Sequence, residues 1–391
     1  MAYYLSMTLT TGRPSPRDRT REDLYELIRS GMAVTRSELA ESTGMSRSTV
    51  NHAVGRLLAE NRVTESDVEV KGPGSGSGRP AARLAVIATG SPVAAIDFGH
   101  NHVHVAVATS LGEPLDEEHV VLDVDLNAPE AMACATDLLA DLRRRHGIDD
   151  LAALVAGIPG PVDARSGLVR SPSILSSWVG RAPGQELEEA LGVPVHIEND
   201  AVLGAIGEQY RGAGRHHQDF LYVKASHGIG ASMVLDGKLY PGANGLAGEI
   251  GHTPLSGHSE LCRCGNRGCL ESVVSVEALR QQYVHTHPNA GADTFDPNDI
   301  ADTITLRIFE EAGRMLGGVL ATFCNLLNPS ALVIGGELGS TSSAFLDGVE
   351  AAVRRHAQPA TAAVIEILPA ELGIRAELVG GLQLAASRAR R

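Results

Sequence analysis

The chain of 391 residues is long enough for two or three domains of about 100–200 residues with substantial cores. With 43% apolar and 20% charged residues, and no apolar run near the ~18–20 residues of a membrane span, it is expected to be globular and cytoplasmic, without a membrane partner. Met1 to Thr20 lacks a basic-then-apolar leader, and five cysteines suit a reducing compartment. The net charge of −14 is uneven: residues 1–80 carry 11 Lys and Arg against 10 Asp and Glu, the rest 22 against 37. Any nucleic acid must therefore meet the first 80 residues, because the acidic remainder repels phosphate.

Residues 1–19 have no apolar period and read as a disordered lead-in. Leu24, Leu27 and Ile28 then fall at helical spacing, and Gly31 stops that helix. A short helix over 36–43, a turn at Gly44-Met45 and a helix capped by Ser46 follow, the last burying Val50, Val54, Leu57 and Leu58. Wing strands are predicted near Arg62–Thr64 and Val68–Val70, closing a winged helix-turn-helix over residues 20–71. Residues 72–91 begin with a Gly, Pro and Ser-rich stretch and read as linker and wing edge.

From residue 92 onward strands and helices alternate, which predicts an α/β domain of two lobes over 92–391. Strands are predicted at Val93–Phe98, His102–Ala108, Leu154–Ile158, Val195–Ile197, Phe220–Ala225, Ala231–Leu235, Ala331–Ile334 and Ala363–Leu368. Helices are expected at 130–146, 184–191, 200–211, 275–285, 299–326, 342–356 and 377–388, and no short internal repeat is visible.

Four groups of residues carry chemistry. Short hydroxyls, amides and arginines crowd the start of the third helix, the set a major groove accepts. Candidate DNA contacts are Arg36, Ser46, Arg47, Ser48, Thr49, Asn51, His52 and Arg56. Next, His252, Cys262, Cys264 and Cys269 form a Cys3His set suited to a structural zinc ion held by a loop over 252–269. Cys134 and Cys324 lie in apolar helical patterns and read as core thiols.

Loop carboxylates form the third group: Glu198-Asn199-Asp200, Glu249 and Glu271 suit sugar hydroxyls, and an aspartate at a strand end could serve as a general base. The fourth is a set of glycine turns, Gly157 to Asp163, Gly228-Ile-Gly230 and Gly335-Gly336, capable of cradling phosphate, although no P-loop exists.

Together these segments resemble the ROK family of repressors, open reading frames and sugar kinases. The resemblance runs from about Thr20 to the C-terminus and is most specific at Gly157 to Asp163, Glu198-Asn-Asp200, Leu239-Tyr-Pro-Gly-Ala243, Gly248-Glu-Ile-Gly-His252 and Cys262 to Glu271. It implies an actin-like ATPase (ribonuclease H-like) fold of two lobes. It also implies sugar contacts at Asn199, Asp200, Glu249, His252 and Glu271, with Zn2+ on His252, Cys262, Cys264 and Cys269.

Two departures separate the family's two occupations. Kinase members carry a glycine-rich phosphate loop with Thr-Lys where this chain reads Asp97-Phe-Gly99-His-Asn-His102, and the second loop reads Ser226-His-Gly-Ile-Gly230. Phosphoryl transfer depends on positioning and charge stabilisation, so the altered loop at 97–102 predicts a non-enzyme. Asp200, the family's base, is then expected only to accept sugar hydroxyls. The expectation is a sugar-responsive transcriptional regulator, a repressor, with operator DNA, a sugar or oligosaccharide effector and its own copies (dimer or tetramer) as partners; the alternative is an ATP-dependent sugar kinase.

Overall fold

The capping chemistry of the first helices sets the local structure. Thr35 and Glu38 form a reciprocal capping box: Thr35 Oγ1 accepts the Glu38 N–H at 3.3 Å and Glu38 Oε2 accepts the Thr35 N–H at 3.0 Å. Gly44, at φ 66, turns the chain out of that helix, and Ser46 Oγ caps the next by accepting the Thr49 N–H at 3.2 Å. The computed structural model describes residues 16–29, 31–66, 82–160, 169, 176–289, 295–297 and 302–390. The chain divides into two compact units, residues 1–91 and 92–391.

The first unit holds α1 (Pro16–Arg29), α2 (Arg36–Thr43), α3 (Arg47–Ala59), β1 (Val63–Ser66) and β2 (Arg83–Val86). Leu24, Ile28, Leu39, Val50, Val54, Leu57, Val63 and Leu84 enclose one core, each removed from water almost completely. Two expectations change here. The first helix starts at Pro16, inside the segment read as lead-in, because the apolar face of its later turns pulls the whole element onto the core. A strand at 83–86, within the stretch read as linker and wing edge, pairs with β1, and its Leu84 plugs the core opposite Glu65. The expected strand at 68–70 and the glycine-rich 72–80 lie outside the described residues.

In the second unit, β3 (Val93–Phe98), β4 (His102–Ala108) and β5 (Pro114–Val121) form an antiparallel meander. After α4 (Ala128–His146) and α5 (Pro183–Leu191), β6 (Ala153–Ile158) and β7 (Val195–Asn199) add in parallel on the other side, giving the order β5-β4-β3-β6-β7. The same plan then repeats. Past α6 (Asp200–Arg211), β8 (Phe220–Ala225), β9 (Ile229–Leu235) and β10 (Lys238–Tyr240) form a second meander. The long connection carries α7 (Glu271–Val274), α8 (Val276–Thr286) and α9 (Thr303–Leu327) to β11 (Ala331–Gly335). Next, α10 (Gly336–Thr341), α11 (Ser343–His356) and α12 (Pro359–Val364) lead to β12 (Glu366–Pro369), for an order of β10-β9-β8-β11-β12.

The two lobes are thus a structural duplication, invisible as a sequence repeat, and they have the expected actin-like architecture. Strand β5 escapes sequence pattern because its Asp116-Glu-Glu-His119 run suits a solvated edge. Of the strand expected at Ala363–Leu368, Ala363 and Val364 instead end α12, which Pro359 starts and Gln358 caps, and the strand itself begins at Glu366.

Helix α13 (Ala376–Ala389) returns to lie against α6, and the pair sits between the sheets: α13 touches β3 and β6 while α6 touches β8 and β9. Their backbones approach so closely that a Cβ on Gly207 would lie 2.2 Å from the Ala376 carbonyl oxygen, and one on Gly380 1.8 Å from that of Leu203. Glycine is required at both positions. No described helix is long and apolar enough to cross a membrane.

Candidate functional site

On the first unit, Arg47, Ser48, Thr49, Asn51, His52 and Arg56 are all exposed, on the face of α3 opposite Val50, Val54 and Leu57. Ser46 spends its hydroxyl on the cap and on Ser48 and Thr49, each 2.9 Å away. Arg36 lies on α2 and pairs with Glu65 of the wing.

The second unit brings the four expected metal ligands together. The His252, Cys262, Cys264 and Cys269 donor atoms all lie within 4.8 Å of one another. Cys264 and Cys269 Sγ are 3.8 Å apart, and Cys262 Sγ is 3.7 Å from His252 Nδ1. A tetrahedron with Zn–S near 2.3 Å has edges of about 3.8 Å, so the donor set fits that ion. Short antiparallel bridges, Pro254 with Cys269 and Leu261 with Arg267, tie the knuckle. Gly268, at φ 68, leaves no room for a side chain: its Cβ would stand 2.6 Å from the His258 carbonyl oxygen.

The other nitrogen of the same imidazole turns to the cleft. His252 Nε2 is 3.8 Å from Glu249 Oε2, one 3-10 turn upstream. Partial desolvation pushes the Glu249 carboxyl up; His252 opposes this, and Glu271 and Asp200 add to it, a sign that these acids share one space. Glu271 Oε2 accepts the Ile229 N–H at 3.1 Å, fixing it to the start of β9. Asn199 ends β7 and caps α6, its Oδ1 accepting the Val202 N–H at 3.3 Å.

Asp200 opens α6 and is buried, with Oδ1 accepting the Ala201 N–H at 2.8 Å. Its Oδ2 meets a residue that sequence reasoning missed: Lys224 Nζ lies 2.9 Å away and also 3.1 Å from Glu377 Oε1 on α13. Burial lowers the lysine's proton affinity, but Asp200, Glu377 and Asp97 more than offset it and drive its pKa above the ordinary value. Burial pushes the Glu377 carboxyl up to about 7 against the pull of Lys224. A lysine inside the otherwise apolar run Phe220-Leu-Tyr-Val-Lys-Ala225 was the available signal.

Histidines stand in the loop after β3 and in the loop facing it. The His102 ring folds back over Gly99, so that a Cβ there would lie 2.1 Å from His102 Cε1, and its Nε2 contacts Asp97 Oδ2 at 3.1 Å. Burial pushes Asp97 up, but that hydrogen bond and the nearby charges of His102, Lys224 and His104 outweigh it and hold the carboxyl low. His100 Nδ1 lies 2.8 Å from Asp125 Oδ1, and its ring is 5.5 Å from that of His227 in the facing loop. The end of the Gly157 to Asp163 turn, residues 161–163, lies outside the described residues.

The ROK family model matches residues 93–388, and a winged helix-turn-helix DNA-binding model matches residues 17–64. The xylose repressor of Bacillus subtilis (strain 168) is 29% identical over 369 residues, covering 91% of this chain and 92% of its own. A glucokinase of Halalkalibacterium halodurans is 28% identical over 309 residues, 73% of this chain and 92% of its own. The crystal structure of a ROK family transcriptional regulator, a homologue of the E. coli MLC protein, superimposes with a TM-score of 0.71 at 22% identity, covering 95% of this chain and 96% of that one.

Proposed function

The chain belongs to the ROK family, and on that premise we propose that it is a sugar-responsive DNA-binding transcriptional regulator that represses carbohydrate-utilisation genes. The observation that carries this reading is the presence, in one chain, of an exposed polar face on α3 and, in the second unit, a Cys3His knuckle with Glu249 beside its histidine. The first unit binds operator DNA, through Arg36, Ser46, Arg47, Ser48, Thr49, Asn51, His52 and Arg56. Residues 92–391 bind the sugar, through Asn199, Asp200, Glu249, His252 and Glu271. The relatives support the DNA-binding branch: the xylose repressor spans both units, whereas the glucokinase covers 73% of the chain.

The ring of His102 over Gly99 takes the space in which phosphate oxygens would lie against backbone N–H groups. His100 and Asp125 close the neighbouring position. Both support a protein that holds a sugar without transferring phosphate to it.

Zn2+ on His252, Cys262, Cys264 and Cys269 would be wholly protein-ligated, supplying order and no reactive position. With Nδ1 on the ion, the His252 ring is oriented so that Nε2 faces Glu249 and a sugar hydroxyl. Sugar switches operator affinity only through different affinities for the two states of the chain, and the coupling is reciprocal. Recognition by one short helix per chain implies a symmetric dimer or tetramer in the cytoplasm, matched to a palindromic operator.

Fluorescence anisotropy on DNA upstream of the protein's own gene, at fixed salt with a panel of mono- and oligosaccharides, tests the reading. Binding that one sugar changes is the expected result. ATP turnover with a hexose, in place of DNA binding, would transfer the assignment to sugar kinase.

A further inference from the structure

Three carboxylates reach the cleft floor from three separate elements: Asp97 from β3, Asp200 from the start of α6 and Glu377 from α13. One cation, Lys224 on β8, stands among them, bonded to Asp200 at 2.9 Å and to Glu377 at 3.1 Å. Glu377 takes a further contact from the Tyr222 hydroxyl at 3.5 Å, and Asp97 Oδ1 is buried with no hydrogen-bond partner among the described residues. The lysine joins the second sheet to the α6–α13 pair that separates the lobes.

We propose that Lys224 is a positioning residue for sugar recognition: its ammonium holds Asp200 in the orientation that accepts the ligand's hydroxyls and serves as the cation of the cleft floor. The geometry favours this over a bond of stability alone. Asp200 Oδ1 is drawn to its own helix by the Ala201 N–H, and Lys224 takes Oδ2 from the opposite side, so the carboxylate plane is fixed by two donors while each oxygen keeps a lone pair for a hydroxyl. Without the ammonium, Asp200 and Glu377 would share an enclosed site uncompensated, and one would take up a proton or turn away.

This inference rests on the sugar-binding reading above. Its test is sugar affinity, by titration calorimetry on the zinc-loaded full chain, with the sugar that the operator assay identifies. Lys224→Met is expected to weaken sugar at least ~10-fold, as for loss of a charged hydrogen bond. Lys224→Ala should recover affinity on addition of ethylammonium and not of tetramethylammonium at equal ionic strength, a rescue that a purely architectural lysine would not give. Wild-type affinity in Lys224→Met, or equal effects of the two ammonium ions, would overturn the proposal. Should Lys224→Ala fail to fold, Lys224→Met decides alone. A wild-type chain that binds no sugar would defeat the parent reading itself, and this inference with it.

Discussion

On α3, Arg47, Ser48, Thr49, Asn51, His52 and Arg56 face solvent, whereas Asp97, Asp200, Lys224 and Glu377 on the cleft floor are enclosed and compensate one another. The first set is reachable from outside the chain, and its helix is held by apolar residues on the opposite face. The second set is part of its own support, since each charge is tolerable only beside the others. Changes on α3 should therefore separate function from stability. Changes on the cleft floor and in the metal knuckle beside it should not.

The largest expected effect lies in the knuckle. Cys269→Ser should lower bound zinc from about one per chain to well below that, with a marked loss of thermal stability, because structural zinc sites contribute on the order of 10 kcal/mol to the folds they close. Elemental analysis and a melting curve read both; a variant still holding one zinc per chain would remove the Cys3His assignment. Lys224→Ala should cost about 3 kcal/mol in urea melts, because it leaves the buried Asp200 and Glu377 carboxylates without their cation. A loss within experimental scatter would mean that the cleft floor behaves like the surface.

Arg47→Ala should do the reverse: operator affinity falls by roughly 1–3 kcal/mol while stability stays within about 0.5 kcal/mol. A matching drop in melting temperature would break the contrast from the other side. The smallest effect concerns acid. Burial first, then His100, Lys224 and Arg263, hold the His227 pKa at about 4, with Asp125 pulling the other way. That value lies below the ~6.5 of an unfolded chain, so the unfolded state binds more protons between the two, and stability declines as pH falls through that window. His227→Gln should flatten this part of the pH–stability curve.

Legibility followed the same division. The helix-turn-helix and the Cys3His knuckle were readable because their residues lie close along the chain: a cap, a glycine turn and an apolar spacing in one case, three cysteines within eight positions in the other. The carboxylates at Asp200, Glu249 and Glu271 were recognisable by motif. Their counter-ion was not, since Lys224 meets Glu377 only after α13 has returned across the second unit. The strand at 83–86 was not read for a related reason: Leu84 belongs to the core of the first unit although a glycine-rich stretch separates it from β1. The duplicated lobes were hidden as well, because strand order is a property of pairing and the two halves share it without sharing side chains.

The imidazole of His252 has one nitrogen beside Cys262 and the other beside Glu249. Whatever occupies the knuckle thereby sets the direction of the nitrogen that Glu249 meets, so one ring ties the closure of a loop to the placing of a carboxylate outside it.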